Sequence, residues 1–213
     1  MTPTAPAPPE SATALHEGAA PSPCPRVLGV ILAGGQSSRF GSDKAEAKLG
    51  NKRLIQHVAE NLAPQVERVI IAGGPPREGL QQIPDLPVPG LGPLGGLNAA
   101  LHAAANSGFD WVLTAPCDAA RLPADLLTRL WAGRQDKSAA YAHAAGRDHP
   151  TFGLWSSRLA ASLEAWLTAS ETDRDRAIRH WAAPVAAAPV SFPDTAFANI
   201  NTPEDLAALQ RRT

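Results

Sequence analysis

Residues 32–49 read LAGGQSSRFGSDKAEAKL, which sets Gly34, Gly35, Arg39 and Lys44 directly behind an apolar run. Adjacent glycines let backbone N–H groups approach a ligand with no Cβ in the way. A planar guanidinium such as that of Arg39 matches a pair of phosphate oxygens, whereas the compact ammonium of Lys44 suits a bridging or leaving oxygen. Together they fit a triphosphate. The competing reading is a Gly-Ser turn flanked by solvated basic side chains. Neither G-x-x-x-x-G-K-[ST] nor G-x-G-x-x-G occurs in this stretch, so a Walker loop and a dinucleotide fingerprint are both excluded there.

A second group of residues follows later apolar runs. Asp118 comes a short turn after 111–114, where a carboxylate suits magnesium, which takes one or two carboxylates and completes its shell with phosphate oxygens and water. Aspartates at such positions also serve as turn caps. Cys117 beside it has a nucleophile's chemistry, but phosphoryl transfer between two substrates needs no thiol, so packing is its expected role. Gly92-Pro93-Leu94-Gly95-Gly96 opens a helical pattern whose free N–H groups can meet an anion or a ribose, or simply start a tight helix. Asn199 and Asn201 flank Ile200 with period two, so both amides share one face of an extended segment unless they act as turn caps.

The elements that position these groups follow from periodicity. Continuous apolar runs at 27–32, 69–71 and 111–114 read as parallel strands covered on both faces. Leu54, Ile55, Val58 and Leu62 mark one helical face, and Leu94, Leu97, Leu101 and Ala104 mark another. Helices are expected over 123–131 and 159–167, and shorter strands over 138–143, 151–155 and 185–192. Thr202, Pro203 and Asp205 form the start of a last helix. The alternation predicts an α/β fold with an open, doubly wound, mostly parallel sheet in a single domain, whose ligand crevice lies beyond the carboxyl ends of the strands.

Composition narrows the function. The chain has 213 residues and balances 19 Lys and Arg against 20 Asp and Glu, which speaks against a general nucleic-acid or anionic-membrane surface. No apolar run approaches the roughly 18 residues of a spanning helix. Two cysteines, Cys24 and Cys117, give no disulfide framework, and a cytoplasmic location is expected. Residues 1–25 are rich in proline and alanine with few large apolar side chains, so they are expected to form a disordered tail ahead of a domain over 26–213.

The stretch LAGGQSSRFGSDK resembles the signature loop of nucleotidyltransferases with the nucleotide-diphospho-sugar transferase fold, and specifically that of molybdenum cofactor guanylyltransferases. GPLGGL (92–97), PCDAARLP (116–123), RDHPTFGLW (147–155) and NINTPEDL (199–206) agree in order, so the resemblance runs from about residue 27 to 209. It implies transfer of GMP from GTP to the phosphate of molybdopterin or Mo-molybdopterin, with Mg2+ as cofactor, pyrophosphate as product and cofactor-delivery proteins as partners; the alternative is a cytidylyltransferase of the same pathway or a sugar- or polyol-phosphate nucleotidyltransferase. Neither a nucleic-acid nor a membrane partner is expected. The nucleotide would be held by Leu32, Ala33, Gly34, Gly35, Lys44, Ala72, Asp85, Gly92, Pro93, Leu94 and Asp118. Arg39, Lys44 and Asp118 would be catalytic, with the metal on Asp118, and His149, Asn199 and Asn201 would border the acceptor. Two departures stand out: Ala72-Gly73-Gly74 replaces a polar residue after the second strand, and Asp85 stands seven residues before Gly92 rather than shortly before the GPL motif.

Overall fold

The computed structural model describes residues 25–34, 47–75, 79–170, 172, 177–200 and 205. The tail expected over 1–25 therefore lies outside the described residues except for Pro25, as does most of the helix expected after Thr202.

The three leading strand expectations are met by β1 (Val27–Leu32), β4 (Arg68–Ala72) and β6 (Trp111–Pro116); β1 is buried throughout, β6 is buried after Trp111, and β4 is buried over its last three residues. Between β1 and β4 lie a short antiparallel pair, β2 (Lys48–Leu49) and β3 (Lys52–Arg53), and helix α1 (Leu54–Leu62). β5 (Gln81–Ile83) precedes α2 (Gly92–Asn106), whose residues 94, 97, 101 and 104 are all buried, as their spacing predicts. The helix expected over 123–131 starts later, as α3 (Leu126–Gly133). The Leu126 N–H closes a turn onto the Pro123 carbonyl at 3.2 Å, and the Leu127 N–H donates to Gln65 Oε1 at 3.0 Å, so the first helical turn is capped from outside.

The rest of the chain supplies β8 (Ala139–Ala144), β9 (Arg147–Ser156), α4 (Ala160–Ala169), α5 (Ile178–Ala182) and β10 (Ala188–Ser191). β9 begins four residues before the expected 151, because the hairpin from β8 closes at Ala144 and Arg147. Pro150, which has no N–H to give a ladder, sits where the register slips: Tyr141 pairs with Gly153 but Ala142 pairs with His149.

Strand order in the seven-stranded sheet is β10-β8-β9-β6-β1-β4-β5. All pairs are parallel except those made by β9, which runs antiparallel to β6 and β8. Successive residues of β1 face opposite cores. Val27 and Ile31 pack with α1 and α3, while Leu28, Val30 and Leu32 pack with α2, α4 and α5. The chain leaves β1 towards β4 on one side and returns to β6 on the other. That reversal puts the crevice at the carboxyl ends of β1 and β6.

Candidate active site

At that crevice the loop after β1 begins with Ala33, whose N–H donates to the Ala72 carbonyl at 2.9 Å, so the ends of β1 and β4 are tied together. Ala72 itself is fully buried against Leu32 and α2, and its contribution there is a backbone carbonyl. Gly73 continues β4 at φ +75° and donates its N–H to Ile83 at 3.0 Å. Gln82 donates to the carbonyls of Gly73 and Gly74 at 2.8 and 2.6 Å, which fixes the turn.

These loops converge on Asp85. A Cβ on Gly34 would lie 3.3 Å from Asp85 Oδ2, and one on Gly73 would lie 2.6 Å from Asp85 Oδ1 and 2.9 Å from the Gly34 nitrogen. On the far side, a Cβ on Gly95 of α2 would come within 3.2 Å of the Asp85 Cβ. At Gly73 only a glycine leaves room for the carboxyl group, while at Gly34 and Gly95 a Cβ would be tight against Asp85. Asp85 is buried; Oδ2 accepts the Gly90 N–H at 3.3 Å, while Oδ1 is buried with no hydrogen-bond partner. Burial pushes the carboxyl pKa above the usual range, and the Gly90 N–H offsets part of that rise.

The start of α2 shares this corner. Gly92 takes φ +67°, Pro93 occupies the first turn, and no side chain caps the helix, so its leading N–H groups remain available to a ligand. Leu94 points into the core and is fully buried. Gly90, Gly92 and Gly95 have the spacing G-x-G-x-x-G, a signal that marks this corner and lies outside the glycine loop of 32–49.

Asp118 is placed by β6 and by a short two-stranded pair. The Cys117 N–H donates to the Leu32 carbonyl at 3.1 Å, which sets the turn carrying Asp118 directly against the end of β1. β7 (Ala119–Arg121) then pairs antiparallel with β11 (Ala198–Asn199), and Ile200 donates its N–H to the Asp118 carbonyl at 3.0 Å. Asn199 is thereby brought opposite Ala119, with its Oδ1 buried and without a hydrogen-bond partner. Cys117 packs against the core on the α1 side, as expected.

A pocket of about 460 Å³ opens on the α2 side of the crevice, lined by Gly90–Pro93, by Asp148, Pro150 and Thr151 of β9, and by Ala177–Arg179. His149 turns to the opposite face and packs its ring 5.4 Å from that of Phe197 and 6.3 Å from that of Phe152. Burial, followed by the charge of Arg147, keeps its pKa below the usual histidine value. The side chain in the pocket is instead its neighbour Asp148, bonded to His143 at 2.7 Å, and alternation along the strand is the signal that separates the two.

Leu32, Ala33, Gly34, Ala72, Asp85, Gly92, Pro93, Asp118 and Asn199 thus border one crevice end, whereas the Leu94 side chain belongs to the core. Gly35, Arg39, Lys44 and Asn201 lie outside the described residues. Among the described residues, no cluster of three or more His, Cys, Asp or Glu side chains could hold a metal by itself, and no helix is long and apolar enough to cross a membrane.

Residues 29–187 match the family described as the MobA-like NTP transferase domain. The chain is 41% identical over 195 residues to a molybdenum cofactor guanylyltransferase of Rhizobium leguminosarum, covering 87% of this chain and 92% of the relative. It is 44% identical over 191 residues to one of Cereibacter sphaeroides, with 85% and 94% covered. The chain belongs to the molybdenum cofactor guanylyltransferase family. It is therefore a nucleotidyltransferase. The enzyme's fold matches that of molybdopterin-guanine dinucleotide biosynthesis protein A from Archaeoglobus fulgidus, with a TM-score of 0.64 at 22% identity over 87% of this chain and 97% of that one. A 4-diphosphocytidyl-2C-methyl-D-erythritol synthase shares the fold at a TM-score of 0.60 and 14% identity, covering 89% of the enzyme and 99% of that chain.

Proposed function

We propose that the enzyme transfers GMP from GTP to the phosphate of molybdopterin, with or without bound molybdenum, and releases pyrophosphate. The observation that carries the guanine reading is Asp85. Its buried Oδ1 lacks a donor, and its environment disfavours the charged form. The N1–H and 2-amino groups of guanine are adjacent donors that a carboxylate accepts as a pair, whereas cytosine and adenine each present a donor beside a ring-nitrogen acceptor. Binding guanine would satisfy the oxygen and restore what desolvation costs.

The phosphates would lie over Ala33, Gly34, Gly35 and the open start of α2, with Arg39 and Lys44 neutralising the β- and γ-phosphates. Mg2+ is the metal that the donor set fits: Asp118 supplies one hard carboxylate, Asn199 an amide oxygen that lacks a hydrogen bond, and nucleotide phosphates and water complete the shell. When bound, such a cation neutralises charge developing around the α-phosphate. The chain's own part is alignment. The acceptor phosphate, already anionic, attacks the α-phosphorus in line; its new P–O bond forms as the bond to the β-phosphate oxygen breaks and pyrophosphate leaves. No general base is needed, and rate enhancement comes from positioning and charge stabilisation.

The pocket between α2, β9 and Ala177–Arg179 is the proposed acceptor site; His149, packed against Phe197 on the opposite face, is not part of it, and Asn201 keeps the acceptor role that the resemblance implies. The scarcity of cysteine supports a cytoplasmic location, where proteins that deliver the molybdenum cofactor would meet the enzyme. The test is pyrophosphate release with molybdopterin and Mg2+, comparing GTP, CTP and ATP. GTP is expected to be the preferred donor, and equal or faster turnover with CTP would move the assignment to cytidylyl transfer.

A further inference from the structure

We propose that Asp148 selects the heterocycle of the acceptor by accepting hydrogen bonds from adjacent ring N–H and exocyclic amino donors, with His143 and Tyr141 as its positioning residues. The inference rests on the acceptor reading of the pocket given above.

Asp148 lines the pocket from β9 and stands opposite His143 in the β8–β9 register. Its Oδ1 is 2.7 Å from His143 Nδ1, and its Oδ2 accepts from the Tyr141 hydroxyl at 3.4 Å. Tyr141 and His143 are two residues apart on β8, so both reach from the same sheet face. The histidine and aspartate side chains are 39% and 47% exposed, and a polar contact so open to solvent contributes only about 0–1 kcal/mol to stability. What the two donors achieve is geometric: they fix a side chain that would otherwise sample several rotamers beside the cavity. A carboxylate has about four acceptor positions, so one donor on each oxygen leaves capacity on both.

The rest of the lining suits a flat heterocycle. Leu91, Pro93, Pro150 and Ile178 supply apolar surface, and Arg179 supplies a cation for an anionic substituent. A 2-aminopyrimidinone ring, the recognition edge of a pterin, offers an N–H and an amino group side by side, which two carboxylate oxygens can accept together. Replacing the amino group by oxygen, as in a lumazine, turns one donor into an acceptor facing a carboxylate. A site built to hydrogen-bond a substrate group rejects the analogue that lacks it.

The experiment measures binding of 6-hydroxymethylpterin phosphate and of the corresponding lumazine phosphate to the full chain by fluorescence titration. The wild type is expected to prefer the pterin, and Asp148→Asn to lose that preference by roughly ten- to a hundredfold, the scale of one charge-assisted hydrogen bond. His143→Ala is expected to lose part of the preference and His143→Gln, which keeps a donor, to recover it, with GTP-induced thermal stabilisation unchanged in all three. An unchanged pterin-to-lumazine ratio in Asp148→Asn overturns the proposal, and so does a wild type without preference. Failure of the proposed guanylyl transfer to molybdopterin looks different: the wild type would then release no pyrophosphate from GTP and molybdopterin, whereas failure of the Asp148 role leaves that turnover intact.

Discussion

A Cβ on Gly73 would stand 2.6 Å from Oδ1 of Asp85, so the end of β4 and the loop before α2 can meet only through a glycine. The same hypothetical atom would be 2.9 Å from the backbone nitrogen of Gly34, which brings the loop after β1 into the contact. One missing methyl group therefore lets the ends of two neighbouring strands and a buried carboxylate share a corner.

Gly73→Ala tests this convergence. The substitution meets both the left-handed backbone, at φ +75°, and the carboxylate oxygen. A strained φ alone costs on the order of 1–3 kcal/mol, and displacement of Asp85 adds to it. Thermal denaturation should show a drop in melting temperature, and the remaining folded protein should gain little stabilisation from GTP. A variant that is as stable as the wild type and still stabilised by GTP would mean that Asp85 does not depend on this corner.

Thr114→Val probes the sheet that carries the site. The Thr114 hydroxyl accepts from Trp155 Nε1 and from the Gly153 N–H, and donates to the Gly153 carbonyl, each at 3.2 Å in the fully buried seam between β6 and β9. Valine keeps the shape but leaves the indole N–H without a partner, which costs about 1–3 kcal/mol. Chemical denaturation should show that loss, while the Michaelis constant for GTP should stay within a few-fold of wild type.

The parallel strands were legible because a strand covered on both faces must be apolar throughout, and 27–32 can be nothing else. The β9 strand was harder to bound: its first half, Arg147-Asp148-His149, is polar because it runs past the end of β6 to the crevice, where no core demands apolar side chains. The positions of Asp118 and Asn199 were legible in kind, since one follows a strand and the other sits in an extended polar pair. Their adjacency was not, because it depends on the pairing of β7 with β11 across about 80 residues of chain. Asp85 could be named only through resemblance. Its burial arises from glycines at 34, 73 and 95, which periodicity does not register.

Asp118→Asn keeps the size of the side chain and removes its charge. The turn should survive, since it is held by backbone bonds from Cys117 to Leu32 and from Ile200 to Asp118. On the proposed metal role of Asp118, a hard cation would lose its carboxylate ligand, and at about 1.36 kcal/mol per tenfold in rate a loss of several kcal/mol predicts a fall in turnover of roughly two orders of magnitude or more. Pyrophosphate release across a Mg2+ titration, with circular dichroism to establish folding, measures it. Near wild-type turnover at an unchanged Mg2+ requirement would make Asp118 a turn residue only.

The proposed contact between Asp85 and guanine makes GTP binding depend on pH. Burial raises its carboxyl pKa above the ordinary 3.8, while donation by a guanine would favour the ionised form and lower the pKa in the complex. Protons therefore compete with the base: GTP affinity should be level at pH values above the raised pKa of the free enzyme and fall as pH drops through it. For the fold without ligand the sign is opposite. A carboxyl whose folded pKa is raised contributes stability that is fully present below its unfolded value and is lost as pH rises through the folded one. Asp85→Asn removes that loss, so the ligand-free variant should melt at or above the wild-type temperature at neutral pH. It should also forfeit most of the GTP stabilisation, which in wild type amounts to about 2.7 kcal/mol at 100 times the dissociation constant. Melting curves with and without GTP and Mg2+ from mildly acid to neutral pH read both effects. A variant destabilised without ligand but still stabilised by GTP to the wild-type extent would make Asp85 a structural carboxylate and leave the guanine edge to other groups.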